Sequence, residues 1–214
     1  MRLAVLRPEP GNAATAARAE ALGFEVVRLP LFAVRPLAWV APDPAAYDAL
    51  LLTSANAVRY GRVEALRGLP VLAVGAATAA AARAAGFEVV RTGMRDAATL
   101  LGDVADYSRI LHLAGRDRID LGEQVRAITV YASDPVDLAP EAIAVLVGST
   151  ALLHSARAAA RFAELVDRAG LDRGRVSLAT LSASVAQAAG DGWCAIAVAG
   201  APTDDALLAL CLGR

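Results

Sequence analysis

The hexapeptide Gly23-Phe24-Glu25-Val26-Val27-Arg28 recurs unchanged as Gly86-Phe87-Glu88-Val89-Val90-Arg91, and each copy follows an Ala-rich stretch. A weaker third copy, Gly192-Trp193-Cys194-Ala195-Ile196, follows residues 184–189. In each, a helix ends on a Gly that can adopt the left-handed conformation, and a β-rich run begins. A chain that repeats this corner is committed to alternating helices and strands. Val71 to Thr78 aligns without gaps with Ser177 to Ser184, and Leu50 to Val58 resembles Ala144 to Leu152. Short apolar runs between helical segments thus come in two comparable sets. This predicts an α/β fold of two domains, each a parallel β-sheet buried on both faces by helices.

The strands are expected at 2–6, 25–34, 48–53, 70–74, 88–91, 109–113, 127–132, 143–147, 176–180 and 194–198. So many strands exceed one ordinary sheet in a chain of 214 residues. The Pro-marked stretches Arg35 to Pro44 and Ser133 to Pro140 read as linkers. The expected layout has a discontinuous first domain (1–36 and 138–214), a second domain (45–131), and linkers at 37–44 and 132–137. Two linkers side by side would hinge the domains over a cleft.

Composition narrows the function classes. With 57% hydrophobic and 20% charged residues the chain is not intrinsically disordered. A formal net charge of -1 leaves no general basic field for nucleic acid or an anionic membrane, so an anionic ligand must be met locally. All 21 basic residues are Arg, which excludes a Schiff-base or P-loop lysine. Cys194 and Cys211 are too few for a disulfide framework and lack ligand spacing, which suits a reducing compartment. The apolar run before Arg7 is too short for a signal peptide, and no run approaches the roughly 20 residues needed to span a bilayer. A cytoplasmic protein without membrane or nucleic-acid partners is expected.

Thr53-Ser54-Ala55-Asn56 and Gly148-Ser149-Thr150 are each expected at the carboxyl end of a strand and the start of a helix. Open backbone N–H groups and short hydroxyls there can bind anions, although plain N-capping uses the same residues. Thr78 and Ser184 repeat the argument at the next pair of corners, and open α/β sheets bind ligands at these strand ends. Arg7, Arg116 and Arg118 are placed to meet a carboxylated ligand, with Gly115 beside the latter two; solvated surface Arg is the plain alternative. Tyr131 either presents a phenol to the cleft or seals the hinge. His112 and His154 offer no metal spacing and read as structural, with His154 on a helix. There is no G-x-S-x-G, G-x-G-x-x-G, Walker loop or H-E-x-x-H.

The order of motifs, however, is distinctive. Leu6-Arg7-Pro8 is followed by Tyr47 to Val58, Val74-Gly75-Ala76-Ala77-Thr78-Ala79, Leu111-His112-Leu113-Ala114-Gly115-Arg116, Thr129-Val130-Tyr131 and Ala201-Pro202-Thr203. Nearly end to end, this resembles the uroporphyrinogen-III synthase family. The resemblance implies two flavodoxin-like α/β domains joined by a two-stranded linker, the chain termini sharing one domain. It implies a monomeric lyase without cofactor or metal that cyclises hydroxymethylbilane, a linear tetrapyrrole with eight carboxylates. Water is lost and the last pyrrole ring inverted through a spiro intermediate. On this resemblance Arg7, Thr53, Ser54, Ala55, Thr78, Gly115, Arg116, Ser149, Thr150 and Ser184 line the substrate cleft, and Tyr131 assists departure of the hydroxyl. Leu181 stands in place of a usual Gly, Ser184 of a usual Thr, and Gly148 of a usual Ser or Thr. The rival expectation is a two-lobed module that closes on a small anionic ligand without chemistry.

Overall fold

The computed structural model describes residues 1–94, 96–104 and 106–212. In chain order these form β1 (Arg2–Val5), α1 (Gly11–Ala21), β2 (Glu25–Arg28), β3 (Phe32–Pro36), β4 (Ala49–Leu52) and α2 (Ala55–Tyr60). Then come β5 (Val71–Val74), α3 (Ala76–Ala84), β6 (Val89–Gly93), α4 (Ala97–Gly102), β7 (Ile110–Gly115) and β8 (Val125–Pro135). The chain continues with α5 (Pro140–Ala144), β9 (Thr150–Leu153), α6 (Ala156–Arg168), β10 (Ser177–Thr180), α7 (Ala183–Ala189), β11 (Ala195–Val198) and α8 (Asp204–Ala209).

The repeated hexapeptide forms the same corner twice. Gly23 and Gly86 both have φ of 85°. Gly23 N–H donates to Glu20 and Phe24 N–H to Ala19, while Gly86 N–H donates to Arg83 and Phe87 N–H to Ala82. These bonds close the last helical turn in the same way, and the left-handed φ is what demands Gly.

The chain divides into two compact units, one comprising Met1–Ala33 with the segment from Pro135 onward, the other Val34–Asp134. In the first unit the sheet order is β11-β10-β9-β1-β2, with every pair parallel. Alternation sends Ala4, Ala151 and Leu153 to one face, where they pack with Phe162 of α6 and with Trp193, whose rings stack at 5.4 Å. Leu3, Val5 and Leu152 point to the other face, against Ala16 and Ala19 of α1 and Leu207 and Leu208 of α8. Both faces are thus dry, as a parallel sheet requires.

In the second unit the sheet order is β3-β8-β7-β4-β5-β6. Leu50, Leu52, Leu111 and Leu113 meet Ala57 of α2 and Ala79 and Ala82 of α3. Ala49, Leu51 and Ile110 face Ala97, Leu100 and Leu101 of α4.

Two local expectations are corrected. The run 143–147 is not a strand: Pro140 opens α5 at its first turn, and the apolar residues continue it at helical spacing. Ile143 and Leu146 are buried while Val145 is 48% exposed. The strand expected there is β9, at Thr150–Leu153. The run 25–34 is two strands in two sheets, β2 and β3, separated by Leu29-Pro30-Leu31. Residues 37–44 and 132–134 group with the second unit, where Leu37 N–H donates to Val130 and the Trp39 indole to Gly61. Among the described residues no helix is long and apolar enough to cross a membrane.

Candidate functional site

In the second unit the chain winds outward from β4 through β5 and β6, then lays β7 on the opposite side of β4. The winding direction reverses between β4 and β7, and a crevice opens at such a point on the carboxyl edge of the sheet. Thr53, directly after β4, has its Oγ1 3.0 Å from Nε2 of His112 on β7. His112 is 3% exposed, and burial, with the Arg118 charge, pushes its pKa down to about 4. Ser54 caps α2 by accepting from Asn56 N–H, and Ala55 is the first residue of that helix. At the next corner Gly75 precedes α3 with φ of 85° and no side chain to cap it, so the first N–H groups of that helix face solvent or ligand. Thr78 sits within this first turn and is 5% exposed.

On the far side of β7, Gly115 lies against the ring of Tyr131 of β8. A Cβ there would stand 2.8 Å from Tyr131 Cζ. The register of β7 and β8 shifts at this pair, and Arg116 N–H donates to the Tyr131 carbonyl. Arg116 is bound to Asp134 at 2.8 Å, and Asp134 also accepts from Arg35 at 2.6 Å. Arg118 donates to Thr129 Oγ1 at 2.7 Å.

In the first unit the reversal falls between β1 and β9. Arg7 follows β1 and His154 follows β9, and both reach Asp204 at the start of α8. Arg7 donates to Asp204 Oδ1 at 3.1 Å, and His154 Nε2 lies 2.8 Å from the same oxygen. Thr15 of α1 donates to Oδ2 at 2.6 Å and Arg18 at 3.0 Å. Burial works to raise the pKa of Asp204. The hydrogen bonds from His154 and Thr15 and the Arg7 charge outweigh it and hold the carboxyl well below the usual carboxylate range. The expectation of Arg7 and Arg116 as open carboxylate receivers is therefore modified, because each holds a carboxylate of the protein.

Ser149 and Thr150 are not at a strand's carboxyl end. Thr150 begins β9 and Ser149 immediately precedes it, at the amino edge of the sheet, 5% and 3% exposed. Ser149 Oγ donates to the Leu146 carbonyl at 2.6 Å. They stand a strand's length, about 10 Å, from the edge where Arg7 and His154 meet. The residues that occupy the position of Thr53-Ser54-Ala55 are His154-Ser155-Ala156, with Ser155 capping α6 through Ala158 N–H. His154 accordingly lies in the turn between β9 and α6, not on a helix. Ser184 is exposed in the first turn of α7, 2.9 Å from the capping hydroxyl of Ser182.

Sequence reasoning missed Asp204, His154 and the bond from His112 to Thr53. The match of Leu52-Thr53-Ser54-Ala55 to Leu153-His154-Ser155-Ala156 was the signal for the second of these. Among the described residues no cluster of three or more His, Cys, Asp or Glu is placed to hold a metal ion.

Two solved structures share this architecture. Uroporphyrinogen-III synthetase from Helicobacter pylori matches with a TM-score of 0.67 at 16% identity, over 99% of this chain and 97% of that one. A mutant uroporphyrinogen III synthase from Thermus thermophilus matches with a TM-score of 0.58 at 19% identity, over 98% and 97% of the two chains. No curated protein is significantly similar in sequence. The model of the family of uroporphyrinogen-III synthase HemD matches residues 13–209, nearly the whole chain, and the protein therefore belongs to the uroporphyrinogen-III synthase family of tetrapyrrole biosynthesis.

Proposed function

We propose that this chain is a hydro-lyase that cyclises hydroxymethylbilane to uroporphyrinogen III. The observation that carries the reading is membership of the family over residues 13–209. The chemistry asks little of the protein. A pyrrole nitrogen lone pair expels the hydroxyl, which leaves with one proton as water. The resulting electrophilic methylene is attacked by the substituted carbon of ring D, which closes the spiro intermediate. The bond from this spiro carbon to the methylene of the preceding ring then breaks. The unsubstituted α-carbon of ring D attacks the freed methylene so that the ring is inverted, and loss of the proton from that carbon restores the pyrrole. Electrons and atoms balance without a redox partner.

What the enzyme must supply is geometry, because direct closure of the same substrate gives the uninverted isomer. Holding the chain near the spiro geometry is a proximity effect, and excluding water protects the electrophile. In this reading each sheet, taken by itself, offers the groups at its carboxyl edge to the substrate. The first N–H groups of α3 beyond Gly75, the Thr53 hydroxyl and the turn His154-Ser155 take its carboxylates or pyrrole N–H groups, and Tyr131 gives a proton to the departing hydroxyl. Arg7 and Arg116, tied to Asp204 and Asp134, shape the edges more than they hold substrate.

Incubation of the purified protein with hydroxymethylbilane, followed by separation of isomers III and I, tests the reading. Isomer III is expected in excess over the uncatalysed background. Isomer I alone, at the uncatalysed rate, would leave the chain a member of the family without its activity.

A further inference from the structure

The parallel strands β7 and β8 are joined by residues 116–124 alone, with no helix among them. A parallel crossover ordinarily carries a helix that covers the face of the sheet. Here His112 and its register partner Ala127 line a cavity of about 520 Å3 under the connection. Arg116, Arg118 and Asp120 contribute its polar wall.

Two features of that wall point to an anion. His112 is only 3% exposed, and among the described residues its Nδ1 has no hydrogen-bond partner, while Nε2 is taken by Thr53. A buried polar atom without a partner is costly and calls for a ligand or water. Among the described residues Arg118 bonds Thr129 Oγ1 and the Gly115 carbonyl, both through one amino group. Among the described residues it has no ion-pair partner, so the rest of its planar fork remains open to a carboxylate.

We propose that this cavity binds one carboxylate side arm of the tetrapyrrole, held between Nδ1–H of His112 and the guanidinium of Arg118. The inference rests on the proposed function and assigns a subsite within it. Asp120 tempers the positive field at the rim, where its Oδ1 accepts from Gly122 N–H. That suits a singly charged carboxylate on a flexible arm better than a phosphate dianion. Arg116, although paired with Asp134, adds positive potential to the same lining.

The subsite also acts on Thr53. When Nδ1–H donates to the carboxylate, neutral His112 has only a lone pair left on Nε2, so the Thr53 hydroxyl must donate to it. The lone pairs of Thr53 Oγ1 then turn outward at the carboxyl edge of β4, ready to accept a pyrrole N–H. A bound arm thereby fixes the orientation of a hydroxyl at the strand edge, as partners behind a ligating group do elsewhere.

The test uses the intact protein labelled with 15N in its two histidines, uroporphyrin III as the octacarboxylate probe, and steady-state turnover of hydroxymethylbilane. Uroporphyrin III should move the Nδ1 resonance of His112 to that of a protonated donor with Nε2 unprotonated. Arg118→Gln should abolish this change and raise KM about tenfold, the scale of one charged hydrogen bond, and Arg118→Lys should recover part of the loss. If uroporphyrin III binds with no change at His112, or if R118Q keeps the wild-type KM, the subsite is wrong and the proposed function stands. If the wild-type protein yields no isomer III, the proposed function fails and the subsite falls with it.

Discussion

A methyl group on Gly115 would stand 2.8 Å from Cζ of Tyr131 and 3.0 Å from its hydroxyl oxygen. The ring occupies the space that any other residue at 115 would fill, so the glycine seats the phenol where β7 and β8 shift register. Tyr131→Phe should lower kcat for isomer III about tenfold to a thousandfold if the phenol protonates the departing hydroxyl, in the range of general-acid effects. Gly115→Ala should act through the same group by displacing it. In the Y131F background G115A should therefore add little. A double variant slower by the product of the two single effects would show that Gly115 matters for some other reason.

Asp204 binds residues from three elements at once, Arg7 after β1, Thr15 of α1 and His154 after β9. Its side chain is only 7% exposed, so its removal strands the buried Thr15 hydroxyl and the largely buried His154 ring. Asp204→Ala should cost about 2–4 kcal/mol in urea unfolding at pH 7, reduced from the full value of a buried pair because Arg7 is 35% exposed. The carboxyl is held below its ordinary value, so its contribution is whole above the unfolded carboxylate range near pH 4 and drains as pH falls below it. The gap between wild type and D204A should narrow between about pH 5 and pH 2. A gap that stays constant through that range would mean the carboxylate's charge is not what stabilises the fold.

The corners of this fold were legible because their signals are local. A Gly after an Ala-rich run, with Phe and a β-branched pair behind it, fixes helix end and strand start within six residues. The apolar runs Leu50-Leu51-Leu52 and Val71-Leu72-Ala73 were equally plain. In the first unit the same reasoning slipped, since Ala144-Val145-Leu146-Val147 is as apolar as a buried strand and too short to show its period. Pro140 and the spacing of Ile143 to Leu146 mark it as helix and turn, and the slip carried Ser149 and Thr150 to the wrong edge. The Asp204 cluster was illegible for another reason. Arg7 and Asp204 are 197 positions apart, and only the strand order β11-β10-β9-β1 brings their neighbourhoods together.

His112 gives the fold a dependence on pH. Burial, with the Arg118 charge, lowers its pKa to about 4, so between that value and the unfolded value near 6.5 the unfolded chain takes up a proton that the folded chain refuses. Stability is whole above about pH 6.5 and falls towards pH 4, by about 1.4 kcal/mol per unit at most and about 3 kcal/mol in all. Urea unfolding at pH 7.5 and 5.0 should show a loss of about 2 kcal/mol in the wild type. His112→Gln should lose that much less between the two conditions, although it starts from lower stability. Equal slopes in both proteins would place the titration elsewhere.

The corrected position of the first unit's strand edge separates two serines that are close in sequence. Ser155 caps α6 at the carboxyl edge, beside His154, whereas Ser149 is 3% exposed at the amino edge with its hydroxyl on Leu146. Ser155→Ala removes the cap, which should cost about 1 kcal/mol of stability. It also removes a hydroxyl from the edge proposed to meet the substrate, so KM should rise about threefold to tenfold, the scale of one hydrogen bond. Ser149→Ala loses a buried bond and a similar amount of stability, but its KM should match the wild type because the proposed site does not include that edge. Measuring KM for both variants below their unfolding temperatures decides the matter. A KM raised by S149A and unchanged by S155A would return the site to the amino edge and overturn the proposed placement at His154-Ser155.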